Sequence, residues 1–495
     1  MIEKLQELTG LKVYERSVAQ ASGVTYFLAR GEHPSFGPGR FVGSVGKGRI
    51  AGALIGDLGG RSVIVGETDE QNAAGLREAL PWTAPKCLGL ATSIGFGDRL
   101  GLATPGHVRA LRAGGAGLRP IFAQQSIREM ARTHRTPQEV MDAATWGVFQ
   151  EGYADGFGSD ADHLQQPDDI QTTTAAGFTL FTIDPGAHVE NAADTMDAAA
   201  LAASFEKLDF DTLAISPSDL TRLYADREFA LDGGGRVELP EETMLRAAVK
   251  YGNAVAHTVK MYRRLCNAAG GESELEVSVD ETKTPTTPAE HYFFAAELKR
   301  LGVAWVSMAP RFVGRFEKGV DYIGDLDAFR ASFAEHAAVM RTLGPYKISI
   351  HSGSDKFSVY PIVAELTDGL VHLKTAGTSY LEALRAIAAV EPGLFREIYE
   401  FARERYETDK ATYHVSADLA NVRPAAELAD DELAAVLDEF DTRQALHVTF
   451  GSVLTADEGE RFRPRIYAAL EAEEEAHYAA LEKHLARHAA PFARE

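Results

Sequence analysis

Cysteine is almost absent from this chain, with only Cys87 and Cys266 among 495 residues. Two thiols cannot form a disulfide framework or a four-cysteine zinc site, so both classes of protein are excluded. The chain also lacks any run of about eighteen apolar residues, so no membrane-spanning helix is predicted. The amino-terminal segment, MIEKLQELTGLKVYERS, carries acids and lacks the apolar core of a signal peptide. We therefore expect a cytoplasmic protein.

The chain also has few basic residues relative to acidic ones. Fifty Lys and Arg residues are outnumbered by 72 Asp and Glu residues, which gives a formal net charge of −22 at pH 7. Such a surface repels a phosphate backbone, so nucleic-acid binding is not expected. The hydrophobic fraction of 45% and the charged fraction of 25% are ordinary for a globular chain, which excludes wholesale disorder. We expect a small-molecule ligand as partner, with a homo-oligomer left open.

From Cys87 onward, short apolar runs alternate with amphipathic stretches that are long enough to cross back over a sheet. Such alternation predicts parallel strands joined by helices. Eight runs are candidate strands: CLGLATSIGFG (87–97), LRPIFAQQ (118–125), GFGSDADHL (156–164), FTLFTIDP (178–185), ELEVSVDET (274–282), VAWVSMAP (303–310), YKISIHSG (346–353) and LVHLKTAG (370–377). Eight such units predict an α/β fold, a closed (β/α)8 barrel of the TIM type. A doubly wound open sheet is the second choice, because 412–419 and 445–453 are further strand candidates.

The chain divides into three predicted parts. Residues 1–85 form a Gly-rich β/α appendage, in which 41–66 alternates apolar residues with glycines as short strands or hairpins do. Residues 86–455 form the catalytic barrel, with a helical insertion at 190–270 between the fourth and fifth runs. The last part, 456–495, is predicted to form helices whose charge run is an exposed face.

Histidines follow or end three of the predicted strands. His163, His351 and His372 fall in the third, seventh and eighth runs. In a barrel of this type the reacting groups lie at the carboxyl ends of the strands, so one divalent cation (Zn, Mn, Ni, Co or Fe) can reach all three imidazoles. The alternative is that each histidine is a packing residue or a hydrogen-bonded strand end.

Carboxylates occur at the same strand ends. Asp160 and Asp162 share parity on the third strand, so both are predicted to point into the barrel. Buried carboxylates cost desolvation energy unless they bind a cation or transfer a proton. Asp162 and Glu281, reaching the substrate from different sides, suit general base and acid roles. A salt bridge or a loop cap, for instance Glu281 with Lys283, is the alternative.

Other polar side chains follow the predicted strands and are candidates for substrate contacts. Arg311 or Arg99 can hold an acidic substrate through a bidentate pair with its carboxylate. The same role of substrate contact is predicted for Lys374, Gln125, Asp355 and Lys356. Surface ion pairing is the alternative for the cations.

Two glycine motifs do not support a nucleotide site. The segment 46–51 satisfies GxGxxA, but no long apolar strand precedes it, so a dinucleotide site is not expected there. The segment 375–379 after the eighth run can offer backbone amides to a phosphate. An ordinary capped helix start is the preferred interpretation of that segment.

Several long strings carry a family resemblance. GSDADHL, SVDETKTPT, APRFVGRFEKGVDYIGD, SIHSGSDKFSVYP and HLKTAGTSYLEALR resemble the tagaturonate epimerase family, whose relatives include tagatose 4-epimerases; the resemblance extends over about 88–450. It implies a metal-dependent epimerase of carbohydrate metabolism that interconverts D-tagaturonate and D-fructuronate. It also implies Asp162 as proton acceptor and Glu281 as proton donor. The metal would be bound by His163, His351 and His372.

The implied reaction limits the mechanism. Counted from the carboxylate, the ketone is at C5 and the two uronates differ at C3, so the inverted carbon is β to the carbonyl and simple enolisation cannot invert it. Retro-aldol cleavage of the C3–C4 bond followed by re-addition can, and a divalent cation would stabilise the enediolate. Two other functions stay open, a metal-dependent ketose isomerase or aldolase and a non-catalytic sugar-binding barrel. Preference for the uronate over the uncharged ketohexose is also open.

Overall fold

The computed structural model describes residues 1–269 and 272–494. The chain begins with an antiparallel sheet in the order β1-β3-β4-β6-β5, with β2 paired to β3. Its elements are α1 (Ile2–Thr9), β1 (Lys12–Val13), β2 (Ala19–Ala21), β3 (Val24–His33), β4 (Gly37–Val45), β5 (Ala53–Asp57), β6 (Ser62–Glu67) and α2 (Glu70–Ala79). Asp69 caps α2 by accepting a hydrogen bond from the backbone N–H of Asn72. The predicted β-rich appendage is confirmed.

The barrel begins after this sheet. Its first half comprises β7 (Ser93–Gly97), α3 (Thr104–Gly114), β8 (Arg119–Ser126), α4 (Ile127–Thr133), α5 (Pro137–Gln150), β9 (Gly158–Leu164), α6 (Pro167–Ala175) and β10 (Leu180–Ile183). Ser126, the last residue of β8, caps α4 by accepting from the backbone N–H of Glu129. Because strand and helix are joined directly here, α4 begins at the rim of the barrel.

The long connection after β10 is mostly helical, as predicted. It contains α7 (Ala198–Phe205), α8 (Phe210–Leu213), α9 (Pro217–Tyr224), a hairpin of β11 (Arg227–Ala230) with β12 (Arg236–Leu239), and α10 (Glu241–Ala268). The 28-residue α10 is the longest of these helices, and its buried face includes Met244, Tyr251 and Val255.

The second half of the barrel follows this insertion. It comprises β13 (Glu274–Val279), α11 (Pro288–Arg300), β14 (Ser307–Pro310), α12 (Leu326–Leu343), β15 (Lys347–Ile350), α13 (Tyr360–Thr367), β16 (Val371–Lys374), α14 (Thr378–Val390) and α15 (Pro392–Asp409). The strands close in the order β10-β13-β14-β15-β16-β7-β8-β9, and all neighbouring pairs are parallel. All eight predicted strands are therefore confirmed, in a closed (β/α)8 barrel.

The two additional strand candidates were wrong. Residues 412–419 form a short 3-10 turn and an irregular segment, and 445–453 fall in α16 (Phe440–Val448) and α17 (Phe450–Thr455). The buried residues Ala445, Leu446 and Val448 face the core on a helix rather than on a strand. The doubly wound alternative is excluded because the sheet closes.

The chain described ends in α18 (Arg463–Ala472) and α19 (Glu474–Ala489). The prediction of an exposed helix is correct for only one side of α19, because its other face is buried against α3. A Cβ on Gly106 of α3 would lie 2.6 Å from a side-chain atom of Leu481, so the two helices approach closely at a glycine. No helix in the described parts of the chain is long and apolar enough to cross a membrane.

Candidate active site at the carboxyl end of the barrel

A buried lysine lies among three carboxylates inside the barrel mouth. The ammonium Nζ of Lys374 is 2.7 Å from Asp160, 2.8 Å from Asp162 and 2.7 Å from Glu276, and all four side chains are almost completely buried. Asp160 and Asp162 therefore do share the inward face of β9, as their parity predicts. Because one cation serves three carboxylates, the cluster keeps an excess of negative charge.

The pKa values of the two aspartates diverge within this cluster. Burial raises the pKa of Asp160 to about 6, although Lys374 opposes the shift. Burial also acts on Asp162, but His163 and Lys374 hold its pKa well below the usual range. Asp162 is therefore the carboxylate that stays ionised, which suits it to bind a cation.

Two histidines stand at the upper edge of the same cluster. The rings of His163 and His351 meet edge to face with their centroids 5.2 Å apart. His163 Nδ1 lies 3.2 Å from Asp184 Oδ2, and His351 Nε2 lies 2.6 Å from Glu276 Oε1. One donor atom each from Asp162, His163 and His351 lie within 4.8 Å of one another. The structure thus brings together three of the predicted residues from opposite sides of the barrel.

The electrostatics of this group favour a bound cation. Burial alone would lower the pKa of His163, but Asp162, Asp184 and Glu281 raise it to about 10. Burial and Lys374 lower the pKa of His351, but its carboxylate neighbours raise it to about 9. The surroundings therefore draw positive charge onto both rings. Imidazole and carboxylate are ligands that Zn, Mn, Fe, Co and Ni accept, so the residues present fit a divalent ion.

The backbone of His163 is unusual. Its φ of 55° lies in the left-handed region, where a non-glycine residue is disfavoured. Such a conformation costs on the order of 1–3 kcal/mol and persists where the surroundings fix it. Here the hydrogen bond to Asp184 holds the ring toward the cavity.

His372 does not join the other two histidines. It lies two residues before Lys374 on β16, so it faces the same interior roughly 7 Å deeper in the barrel. His372 Nδ1 is 2.9 Å from the Ser93 hydroxyl, and burial lowers the pKa of the ring to about 3. None of the potential metal groups within residues 1–269 and 272–494 includes it. The structure therefore corrects the predicted third ligand, and Asp162 takes its place in the group.

Above the cluster is an open cavity of about 460 Å³. Glu281, the predicted proton donor, lines it close to His163 and forms a bidentate ion pair with Arg128, at 2.6 and 3.0 Å. Arg311 also lines the cavity, as predicted. The wall is rich in cations: Arg99, Arg128, Arg132, Arg311, Arg315 and Lys318.

Two predicted substrate contacts are occupied by structural partners. Arg99 reaches the cavity wall, but its guanidinium donates to Glu129 at 2.9 and 2.7 Å and stacks on Phe450. Gln125 also donates to Glu129, at 3.1 Å, and does not line the cavity. The neighbouring Gln124 is the residue that faces inward, with Nε2 3.4 Å from Asp162. The prediction chose the wrong member of this pair because strand parity was not applied to β8.

Asp355 and Lys356 lie behind the cavity wall. Asp355 is paired with Arg443 at 2.9 Å and with His484 at 2.6 Å. The Lys356 ammonium donates to the backbone carbonyls of Glu317, Val320 and Ser354, and it is fully buried. Both residues therefore stabilise the loop after β15 and do not line the substrate cavity.

Sequence reasoning missed several residues of the site. Asp184 ends the fourth predicted strand, and Glu276 lies on the inward face of the fifth, so strand position was an available signal for both. Arg128 lies on α4 and had no such signal. The segment 412–416 also lines the cavity, although it comes from beyond the eighth strand.

Comparisons with known proteins agree with the fold. The family model described as tagaturonate epimerase matches residues 14–491. A curated tagaturonate/fructuronate epimerase from Thermotoga maritima is 42% identical over 482 residues, which cover 97% of this chain and 96% of that protein. The native crystal structure of the fructuronate-tagaturonate epimerase from Cohnella laeviribosi matches with a TM-score of 0.91 and 37% identity, over 99% of each chain. This chain is a member of the tagaturonate epimerase family.

Proposed function

We propose that this protein interconverts D-tagaturonate and D-fructuronate with the help of a divalent cation. The observation that carries the proposal is the buried group of Asp162, His163 and His351, which opens into a cation-lined cavity. Family membership supports the reaction, since both similar proteins are named for these two sugars.

Asp162, His163 and His351 would hold the ion, with Asp184 and Glu276 as hydrogen-bond partners that orient the two imidazoles. When bound, a divalent cation supplies Lewis-acid stabilisation of negative charge on substrate oxygens. A rigid, buried donor set of this kind is suited to that task, because its reorganisation cost is already met in the fold.

In the route that we propose, inversion at C3 begins with cleavage of the C3–C4 bond. A base removes the proton from the C3 hydroxyl, the C3–C4 electron pair moves to form the enediolate across C4 and C5, and C3 becomes an aldehyde. After the aldehyde turns, C4 attacks its other face, and the new C3 oxygen takes up a proton. Atoms and charges balance with one proton acceptor and one donor.

We assign the acceptor role to Asp162 and the donor role to Glu281, and their positions support this assignment. Asp162 stays ionised in the floor of the cavity, and Lys374 fixes its Oδ1 at 2.8 Å. Glu281 stands at the rim, more exposed and on a different strand end. Because the two faces of the aldehyde are opposite, a base and a donor on separate sides suit inversion.

The cavity wall favours an acidic sugar over a neutral one. Arginine forms planar two-point contacts with carboxylates, and the wall carries five arginines. Arg311 is an available candidate, since no carboxylate forms an ion pair with its side chain in the part of the chain that the structure describes. We therefore propose D-tagaturonate and D-fructuronate as preferred substrates over D-tagatose and D-fructose.

Incubation with Mn2+ and D-fructuronate tests the reaction. Epimerisation retains all six carbons and gives D-tagaturonate, whereas an aldolase gives three-carbon fragments and an isomerase moves the carbonyl. An inert sugar-binding barrel gives no turnover, and its affinity for the sugar does not change with chelator. Accumulation of fragments, or absence of any turnover, would count against the proposal.

A further inference from the structure

The ion pair between Arg128 and Glu281 lies inside the substrate cavity. Both side chains line it, with 42% and 37% of their surfaces exposed. The two nitrogens of the Arg128 fork face the two oxygens of Glu281 at 3.0 and 2.6 Å. The carboxylate of Glu281 is thus bound by both terminal nitrogens of Arg128 inside the cavity.

We propose that Arg128 is the residue that binds the substrate carboxylate, and that Glu281 occupies this place only in the free enzyme. Binding of a uronate then exchanges one carboxylate for another on the same guanidinium. The inference rests on the proposed function and assigns its preference for uronates to one residue pair.

The exchange is energetically accessible because the pair is solvated. Ion pairs between exposed side chains are weak, so Glu281 is a weak competitor. Three other cations of the wall, Arg99, Arg132 and Lys318, are already engaged by protein partners, whereas Arg311 is the rival candidate that the test below includes. Arg99 is buried on Glu129, Arg132 donates to Thr412, and Lys318 donates to Ser352.

The distances also fit a uronate. One donor atom of Glu281 lies within 4.8 Å of donor atoms of His163 and Asp184, so the Arg128–Glu281 pair stands next to His163, one of the residues that would hold the ion. In a hexuronate, the carboxylate carbon is roughly 2.5 Å from C3, which is two carbon–carbon bonds away. A sugar whose C3 to C5 oxygens approach the ion therefore presents its carboxylate at the rim, where Arg128 stands.

The exchange links recognition to catalysis. When the substrate carboxylate binds the guanidinium, Glu281 is released from Arg128 and is free to turn toward the substrate. A neutral ketohexose has no carboxylate, so it leaves the ion pair between Arg128 and Glu281 intact. Arg128 is thus a specificity-determining residue that acts on binding and, through Glu281, on turnover.

Equilibrium titrations of two pre-equilibrated sugar mixtures test this inference. One mixture contains the two uronates, the other D-fructose and D-tagatose, so that turnover changes neither composition during the measurement. Arg128→Met should weaken uronate binding by about 10-fold to 100-fold, the range for losing a charge-assisted contact. Glu281→Gln should tighten uronate binding by at least about threefold, because the internal competitor is gone. Ketohexose binding should change less than twofold in both.

The double variant gives the sharpest result. If Glu281 acts only by competing for Arg128, Glu281→Gln has no effect on uronate binding once Arg128 is Met. Arg330 and Glu365 form a similar bidentate exposed pair away from the cavity, at 2.9 and 3.0 Å. Arg330→Met and Glu365→Gln are therefore matched controls and should change neither binding nor turnover.

Three results would overturn the inference. The first is a uronate affinity that falls or stays unchanged in Glu281→Gln. The second is an equal loss of ketohexose binding in Arg128→Met. The third is loss of the uronate preference in Arg311→Met alone. Failure of the proposed function is distinguishable, because the wild-type protein would then bind sugars without epimerising either uronate.

Discussion

Two buried groups in this protein look alike as potential metal sites. In each, one aspartate and two histidines place donor atoms within 4.8 Å of one another. The first group, Asp162, His163 and His351, faces the cavity at the barrel mouth. The second consists of Asp355 with two histidines of α19, His484 and His488, and is covered by that helix.

The second group already contains its cation. Arg443 pairs with Asp355 Oδ2 at 2.9 Å, and the backbone N–H of Asp355 donates to His488 Nε2 at 2.9 Å. Burial lowers the pKa of His488 to about 3, so this ring stays neutral with its lone pair engaged. At the barrel mouth Lys374 is shared among three carboxylates, and carboxylates raise the pKa values of both histidines. Charge balance, rather than ligand spacing, separates a candidate ion site from a structural cluster.

The structural cluster still serves the active site. Ser352 and Asp355 both have left-handed backbone, with φ of 49° and 63°, in the loop that follows His351. Such a loop keeps its shape only where its surroundings fix it. The pairs of Asp355 with Arg443 and His484 fix it from outside the barrel.

Replacing the aspartate of each group by asparagine should give the largest effects, on turnover in the first group and on stability in the second. Asp162→Asn should cut turnover of D-fructuronate by about 100-fold or more, because the variant loses a carboxylate proposed both to hold the ion and to accept the C3 hydroxyl proton. Asp355→Asn should lower stability and reduce turnover far less. Steady-state kinetics with a thermal unfolding curve separate the two. Near-normal turnover by Asp162→Asn would reject its role.

Removing one histidine from each group tests where the ion binds. His351→Ala should lower the divalent metal content to background, because a ligand is lost. His484→Ala should keep the wild-type content. Elemental analysis of both purified variants measures this directly, and unchanged metal in His351→Ala would exclude it as a ligand.

Removing the guanidinium from the structural cluster should mainly affect stability. Arg443→Met leaves Asp355 buried without its cation, a change that typically costs about 3–5 kcal/mol. Arg330→Met, which breaks an exposed pair, should have a much smaller effect on stability. Denaturant unfolding gives both values, and equal losses would contradict the assignment of Asp355 and Arg443 as a structural pair.

The smallest effect should be a change in pH dependence. The folded-state pKa of His488, about 3, is below the unfolded value of about 6.5, so its stabilising contribution is present above pH 6.5 and falls as the pH is lowered. Between pH 7.5 and pH 5 this one group accounts for a loss of about 2 kcal/mol. His488→Gln should therefore lose about that much less than the wild type over the same range. If urea titrations at the two pH values show the same loss of unfolding free energy in the variant and in the wild type, His488 is already charged in the folded protein.

Sequence patterns predicted the barrel well because periodicity reports burial. The eight strands and the inward direction of Asp160 and Asp162 follow from alternation alone. Depth inside the barrel does not follow from a strand's end, and so His372 was grouped with residues one layer above it. Contacts between distant elements also leave no local pattern, which is why Arg128 and the cavity segment 412–416 were missed.

Anomalous diffraction from crystals grown with Mn2+ shows directly whether a divalent ion binds at the barrel mouth. We expect a strong peak bounded by Asp162, His163 and His351, and no peak between Asp355, His484 and His488. A peak in the second group, or active crystals with no peak at the barrel mouth, would contradict it.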